Sequence, residues 1–323
     1  MSAIDELLAG ATERTPLVAD DGKSGVPVER VVIDGKRYIA KHMEVAGDWL
    51  ARATGDFGLR QLLLWERGMY QRMPSCIDPV VVGVARDGRR GVLLMYDVGE
   101  HLVPEGDEPI SLEQHLRFLD HFATLHAAFW GWDDDIGLTT DGTRYAMFGP
   151  SVVQVEAELG NDSVIPPLIG RGHELLRAST TRGSAIALAL LDDPDPLLAA
   201  LARTPRTFLH GDTKMGNLGS RPDGRTIAID WEYAGPGVPA SELTWYLAIN
   251  AARLPQSKEA TIAAYRAALE RHGIDTDPWW DAQIALALLG AFVQFGWEKA
   301  LGGGDELAWW DTRAAEAERY LGE

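Results

Sequence analysis

Two short stretches of the chain concentrate side chains able to do chemistry: His210-Gly-Asp-Thr-Lys-Met-Gly-Asn217 and Ala228-Ile-Asp-Trp-Glu232. Between them Arg221-Pro-Asp-Gly-Arg225 reads as a turn. A two-residue turn at Asp223-Gly224 sets Asn217 opposite Asp230, and directly opposed residues on one face have Cβ atoms about 5 Å apart. An amide oxygen and a carboxylate so placed can share a hard cation such as Mg²⁺, which takes oxygen ligands and keeps some of its waters. Asp212, just before this hairpin, is near enough to act on a hydroxyl beside the metal. Lys214, two residues on, is long enough to reach a phosphate.

Composition gives the lysines extra weight. The chain has 323 residues with 30 basic and 48 acidic side chains, a formal charge of −18. Only six of the basic residues are lysine (Lys23, Lys36, Lys41, Lys214, Lys258 and Lys299), so arginine is the default cation here. The acidity argues against a nucleic-acid partner, which needs a basic surface. The lone Cys76 excludes a disulfide framework or a cysteine-rich zinc site. No G-x-x-x-x-G-K-[ST] loop, G-x-S-x-G elbow or H-E-x-x-H motif occurs. The N-terminal residues carry acids without a basic region, and the longest apolar run, Ala185 to Leu191, is too short to span a bilayer. The expectation is a cytoplasmic protein without a membrane partner, acting as a monomer or homodimer.

The elements that must position these residues fall into two groups. Up to about residue 100 the chain reads as strands. Pro27 to Ile33 and Lys36 to His42 flank Asp34-Gly35; Pro79 to Ala85 and Arg90 to Tyr96 flank Asp87-Gly88. Both pairs read as antiparallel hairpins. Leu59 to Arg72 has the spacing of one helix lying on that sheet, and Pro16 to Ala19 can add a fifth strand. After Asp97 the pattern is helical, beginning with Leu112 to Trp130, which Ser111 and Gln114 open as a capping box. Only Thr207 to Ala234 looks extended. The predicted fold class is α+β with two lobes: residues 1–98, a small antiparallel sheet with one helix, and residues 99–323, a larger and mainly helical lobe.

The pattern His210-x-Asp212-x-Lys214-x-x-Asn217, followed by the Ile-Asp pair at 229–230, resembles the catalytic loop and metal-binding segment of the protein-kinase-like superfamily. Gly211, the continuation from Trp231 to Leu243 and the Leu125-His126 pair late in a long helix resemble its aminoglycoside phosphotransferase and choline kinase branch. The resemblance implies a bilobal kinase-like fold and transfer of the γ-phosphoryl group of ATP or GTP, with Mg²⁺, onto a small-molecule hydroxyl. It gives Asp212 as the catalytic aspartate, Asn217 and Asp230 as metal ligands, and His210 as a structural brace. Lys214 would neutralise charge on the transferred group. Lys41, ending Tyr38-Ile-Ala-Lys, matches the lysine that pairs the α- and β-phosphates. Its carboxylate partner is expected to be Glu66, the one acid between Asp56 and Asp78. Met95, Tyr96, Asp97 and Val98 would form the hinge that meets the nucleobase. Two departures stand out. The first hairpin loop lacks the kinase G-x-G-x-x-G pattern, leaving Ser24 and Gly25 as its phosphate contacts, and Glu242 stands where the family usually has aspartate.

Peptide acceptors are excluded by length: Glu242 follows Asp230 too closely to leave room for an activation loop. For a small acceptor, charge is the guide. Residues 1–100 hold 13 basic and 15 acidic side chains, whereas residues 101–323 hold 17 and 33. Nine of the eleven tryptophans lie beyond residue 101, several beside acids. This points to a cationic acceptor, with Trp231, Glu232, Asp133, Trp297 and Glu298 as candidate contacts. An aminoglycoside-like or other antibiotic is the first reading and a metabolic amino alcohol or aminosugar the second. A nucleotide-binding pseudokinase is the reading outside the enzyme class, and the intact Lys41, Asp212, Asn217 and Asp230 argue against it.

Overall fold

The computed structural model describes residues 2–17, 26–160 and 162–322. The chain divides into two compact units, Met1–Gly106 with Met215–Glu232, and Asp107–Lys214 with Tyr233–Glu323.

The first unit is built on an antiparallel sheet in the order β1 (Ala11–Leu17), β2 (Val28–Ile33), β3 (Lys36–Glu44), β6 (Arg90–Tyr96), β5 (Val81–Asp87). In the β2–β3 hairpin Ile33 pairs with Lys36, and Asp34 and Gly35 take φ of 50° and 73°, the positive values that a tight two-residue turn requires. In the β5–β6 hairpin Asp87 pairs with Arg90, so the turn is Gly88-Arg89, one residue later than expected. Its glycine takes the first, positive-φ position, at 62°. The fifth strand expected around Pro16 to Ala19 is β1, which contains Pro16 and Leu17; residues 18–25, with Ser24 and Gly25, lie outside the described residues.

Helices α1 (Ala3–Leu7) and α2 (Trp49–Ala53) join this unit, so the sheet has more than the one expected helix. Asp48 caps α2, its carboxylate accepting the N–H groups of Leu50 and Ala51 at 2.9 and 3.1 Å. The helix expected over Leu59 to Arg72 is shorter: α3 covers Arg60–Glu66, and a 3-10 turn follows at Tyr70–Arg72. Gly68, at φ 69°, sits between them, and a left-handed glycine is the usual helix stop. Period-two alternation divides the sheet's apolar residues between two cores. Leu8, Val31, Ala40, Val92 and Leu94 form one; Met43, Leu59, Leu62, Val80, Leu93, Met95 and Ile227 form the other.

Ile227 belongs to that core because the segment 215–232 completes the unit. Strand β4 (Ile77–Asp78) runs parallel to β9 (Thr226–Ala228), which pairs antiparallel with β8 (Leu218–Ser220). Val103 N–H donates to the Leu218 carbonyl at 2.8 Å. The division at 98/99 expected from sequence is therefore displaced: the first unit runs on to Gly106 and takes back residues 215–232.

The second unit is mainly helical: α4 (Leu112–Ala128), α5 (Asp141–Ala146), α6 (Pro150–Glu158), α7 (Ile165–Ala178), α8 (Arg182–Asp192), α9 (Asp195–Leu201), α10 (Pro239–Ile249), α11 (Lys258–Arg271), α12 (Trp280–Gly302) and α13 (Gly304–Ala317). A two-stranded pairing of β7 (Thr207–Leu209) with β10 (Gly235–Gly237) brackets the residues of interest. Helix α12 is the centre. Residues 286–297 are all buried, and α7, α8, α10 and α13 pack around them. Its length and composition would suit a membrane span, but most of its most apolar window is buried inside the unit.

Candidate active site

The first unit brings together Lys41, Asp230 and Glu232. Lys41 lies on β3 on the same face as Ile39 and Met43, which turns its side chain toward the core containing Ile227. Its Nζ donates to Asp230 Oδ1 at 2.7 Å and lies 3.5 Å from Glu232 Oε2, with Lys41 only 8 % exposed. Burial works against the ammonium, but the charges of Asp230 and then Glu232 outweigh it and hold the Lys41 pKa above its ordinary value. Asp230 takes φ of 64°, an uncommon conformation for a residue with a side chain, found where surrounding structure fixes it.

The expected partner of Lys41 is corrected. Glu66 pairs with Arg86 at 3.3 Å on the surface. The α3 residue that reaches the Lys41 cluster is Gln61, whose Nε2 donates to Asp230 Oδ1 at 3.1 Å. The two are five positions apart on the helix, so they point to different sides. With Gln61 an amide, the carboxylates facing Lys41 come from the 230–232 segment. Asp48 adds a weaker favourable charge on Lys41.

Asn217 and Asp230 do not pair directly. Leu218 pairs with Ala228, and the Ile229 N–H donates to the Asn217 carbonyl at 2.9 Å, which puts Asn217 across from Ile229. The Arg221 N–H donates to the Arg225 carbonyl at 2.9 Å, so the turn has three residues, Pro222, Asp223 and Gly224, with Gly224 at φ 91°. The additional loop residue moves the register by one. Asn217 and Asp230 remain near neighbours on adjacent segments of one hairpin, with Asn217 buried.

At the expected hinge, Met95 and Val98 are buried and Tyr96 is exposed, its ring stacked on Tyr38 at 5.6 Å. The Tyr96 and Asp97 N–H groups donate to the carbonyls of Val80 and Arg37. The Asp97 carboxylate accepts from Arg30 Nε at 2.7 Å and from the Gly99 N–H at 3.3 Å. Asp97 therefore braces the hinge with its side chain.

The second unit holds the loop His210–Lys214 by its helix α10. Glu242 is 2 % exposed; its carboxylate accepts the His210 N–H at 2.6 Å and the Gly211 N–H at 3.0 Å. Burial pushes the Glu242 pKa up, yet His126, whose Nε2 lies 3.6 Å away, and the Gly211 N–H bring it below its ordinary value. His126 Nδ1 in turn meets the Tyr265 hydroxyl. His210 is fully buried and accepts the Asp212 N–H on Nδ1 at 3.1 Å. Gly211 has φ of 86°, and a Cβ there would stand 2.2 Å from the Tyr233 carbonyl oxygen. No other residue fits that position.

Three residues missed by the sequence reading complete the two clusters. Gln61 is one. Trp245 donates its Nε1–H to Asp212 Oδ1 at 3.1 Å, and Asn250 Nδ2 donates to the Thr213 carbonyl at 3.0 Å. Trp245 and Asn250 were legible in principle as the positions three and eight residues beyond Glu242, on the helix face that carries it.

The expected acceptor contacts fare less well. Trp231 is 1 % exposed, donates Nε1–H to the Ala228 carbonyl and packs its ring edge against Tyr70, so it is core. Glu232 faces Lys41. Trp297 is buried against Phe148, while its neighbour Glu298 is exposed and pairs with Lys299 at 2.7 Å; adjacent helix residues point in different directions. Asp133 is exposed, and Asp134 beside it uses its carboxylate to accept the N–H groups of Ile136, Gly137 and Leu138. Lys214 is half-buried at the end of the loop.

Known proteins share this architecture. A microcompartment-associated aminopropanol kinase superposes with a TM-score of 0.54 at 15 % identity, covering 99 % of this chain and 97 % of that one. The choline kinase LicA from Streptococcus pneumoniae gives 0.50 at 14 % identity, over 99 % and 97 %. A thermostable mutant of the aminoglycoside phosphotransferase APH(4)-Ia, in a ternary complex with ADP and hygromycin B, gives 0.50 at 14 % identity, over 98 % and 97 %. The shared fold is the protein-kinase-like one. No curated protein sequence matches the chain. Residues 30–278, from β2 to the start of α12, match the profile of the phosphotransferase enzyme family, and the chain belongs to that family.

Proposed function

We propose that the protein transfers the γ-phosphoryl group of ATP or GTP to a hydroxyl group of a small cationic molecule. The observation that carries this reading is the part-buried contact of Lys41 Nζ with Asp230 Oδ1 at 2.7 Å. In a phosphotransferase it keeps a phosphate-binding ammonium and a metal-binding carboxylate together in one unit.

The donor set suits Mg²⁺. The Asn217 amide and the Asp230 carboxylate are hard oxygen donors on adjacent segments of one hairpin, and Mg²⁺ takes few protein oxygens, filling its shell with phosphate oxygens and waters. Bound there, it would neutralise charge on the nucleotide phosphates. Lys41 binds the α- and β-phosphates, Met95 to Val98 meet the nucleobase through backbone groups, and Lys214 offsets charge on the transferred group. Asp212 orients the acceptor hydroxyl. As the acceptor oxygen bonds to the γ-phosphorus, the bond to the β–γ bridging oxygen breaks, the nucleoside diphosphate leaves, and the hydroxyl proton passes to the Asp212 carboxylate.

The cationic acceptor is supported by the acid excess of residues 101–323. Choline and aminopropanol, in the names of two structural neighbours, are alcohols that carry a cationic nitrogen at neutral pH. A coupled assay of diphosphate release, run with ATP and with GTP, tests this across choline, 1-amino-2-propanol, hygromycin B, aminosugars and neutral sugars. Turnover on a cationic alcohol, lost in Asp212→Ala with nucleotide binding retained, is the expected result. Equal turnover on neutral sugars would remove the cationic acceptor, and selective turnover of hygromycin B over the small alcohols would favour an antibiotic substrate. Nucleotide binding without turnover on any acceptor would leave a pseudokinase.

A further inference from the structure

One face of α10 reads the catalytic loop residue by residue. Glu242 takes the N–H groups of His210 and Gly211, Trp245 reaches the Asp212 side chain, and Asn250, capping the helix, takes the Thr213 carbonyl. Thr213 Oγ1 donates back to the Glu242 carbonyl at 3.4 Å. The Glu242, Asn250 and Thr213 contacts engage or are made by the backbone and set the loop's path. The Trp245 contact is different in kind, because it ends on a carboxylate oxygen of the residue assigned to the acceptor.

The indole is fixed before it meets that oxygen. Trp245 is 5 % exposed. The Phe295 ring of α12 stands edge-on to it at 5.0 Å and 78°, and Tyr233 lies tilted against it at 5.8 Å. Aromatic pairs in such geometry hold one another's orientation. An indole N–H can only donate, so it ties down Oδ1 and sets how the carboxylate is turned.

We infer that Trp245 is the positioning residue of the reaction: its N–H immobilises Asp212 Oδ1 so that the carboxylate presents a fixed lone pair to the acceptor hydroxyl. This rests on the assignment of Asp212 as the catalytic aspartate. The interaction matters to turnover and not to nucleotide affinity, since it acts only on the group that handles the acceptor proton, and a misplacement of that group by about 1 Å is enough to slow transfer severely.

Two measurements on the full chain test it. With MgATP and water as acceptor (phosphate release), and with any acceptor found active, Trp245→Phe keeps the ring and removes the donor. The expected result is a fall in kcat of about 10- to 100-fold, the size of a lost hydrogen bond to a charged group, with KM for ATP changed less than about twofold. Trp245→His, which restores a ring N–H, recovers part of the loss. In ¹H–¹⁵N spectra the indole resonance missing from Trp245→Phe is the one that moves in Asp212→Ala. An unchanged kcat in Trp245→Phe, a loss confined to KM, or an indole resonance indifferent to Asp212→Ala would each overturn the inference. Should Trp245→Phe not fold, the His variant and the resonance shift still decide it. Full activity in Asp212→Ala is a separate outcome, because it overturns the assignment of Asp212; an inactive Asp212→Ala beside a wild-type-like Trp245→Phe overturns Trp245 alone.

Discussion

Lys41 and Asp230, far apart in the chain, meet through one hydrogen bond of 2.7 Å inside the first unit. Lys41→Met removes the ammonium that both carboxylates, Asp230 and Glu232, contact. KM for ATP is expected to rise about tenfold or more. Thermal or urea unfolding should show a loss of about 1–2 kcal/mol, since the Asp230 side chain is 30 % exposed and solvent screens part of the attraction. Steady-state kinetics and a denaturation curve check both.

Glu66→Ala is the contrasting case. Its Arg86 partner is a surface ion pair, so activity should stay within about twofold and stability within about 0.5 kcal/mol. Gln61→Leu, on the same helix, removes the donor to Asp230 and should cost about 1 kcal/mol. A large effect of Glu66→Ala on KM for ATP would restore it as the partner of Lys41.

Gly211→Ala should abolish activity. The new Cβ meets the Tyr233 carbonyl in a left-handed backbone position, so the loop must move before the side chain fits. Circular dichroism together with turnover distinguishes a displaced loop from an unfolded chain.

Glu242→Gln tests the buried carboxylate. An amide at this position offers one acceptor where two backbone N–H groups converge. The expected cost is about 2–3 kcal/mol in unfolding free energy, with kcat reduced because His210 and Gly211 set the position of Asp212.

His115, on α4, gives the pH dependence. It is fully buried, and burial brings its pKa down to about 4; Nδ1 meets the Tyr246 hydroxyl at 2.9 Å. The folded protein thus keeps the imidazole neutral where the unfolded chain, with an ordinary pKa of about 6.5, takes up a proton. Stability is whole above about pH 6.5 and is lost as the pH falls through the folded value, by about 2 kcal/mol between pH 7 and pH 5. Urea midpoints at the two pH values, for the wild type and for His115→Gln, should show the slope in the former and a flatter response in the latter.

The sequence disclosed local order better than it disclosed partnership. Asp34-Gly35 predicted a hairpin because a two-residue turn is a local matter of φ. The β8–β9 register went wrong by one position because Pro222-Asp223-Gly224 closes as a three-residue loop, a choice that Asp-Gly alone does not settle. Glu66 was chosen for its charge, while the residue that reaches the Lys41 cluster, Gln61, was set by the angle of a helix whose end at Gly68 was not anticipated. The tryptophans show the same limit. Trp-acid neighbours in sequence, such as Trp297-Glu298, do not form a joint contact, because adjacent helix positions diverge. The indole that meets Asp212, Trp245, finds that carboxylate distant in the chain, on a loop brought to it by tertiary packing.

The return of residues 215–232 to the first unit has a practical corollary for dissecting this protein. A fragment cut at Gly106 would be missing β9, the strand partner of β4, and the Ile227 side chain from its core, and Val103 would have no carbonyl to meet. The first unit is therefore not a module that a truncation at Gly106 can liberate. To stand alone it needs the hairpin 215–232 grafted onto its end, and in making that graft one would separate Asn217 and Asp230 from the Asp212 loop that precedes them. On the proposed assignment, metal affinity would then be measurable in the absence of Asp212, and phosphoryl transfer would be lost.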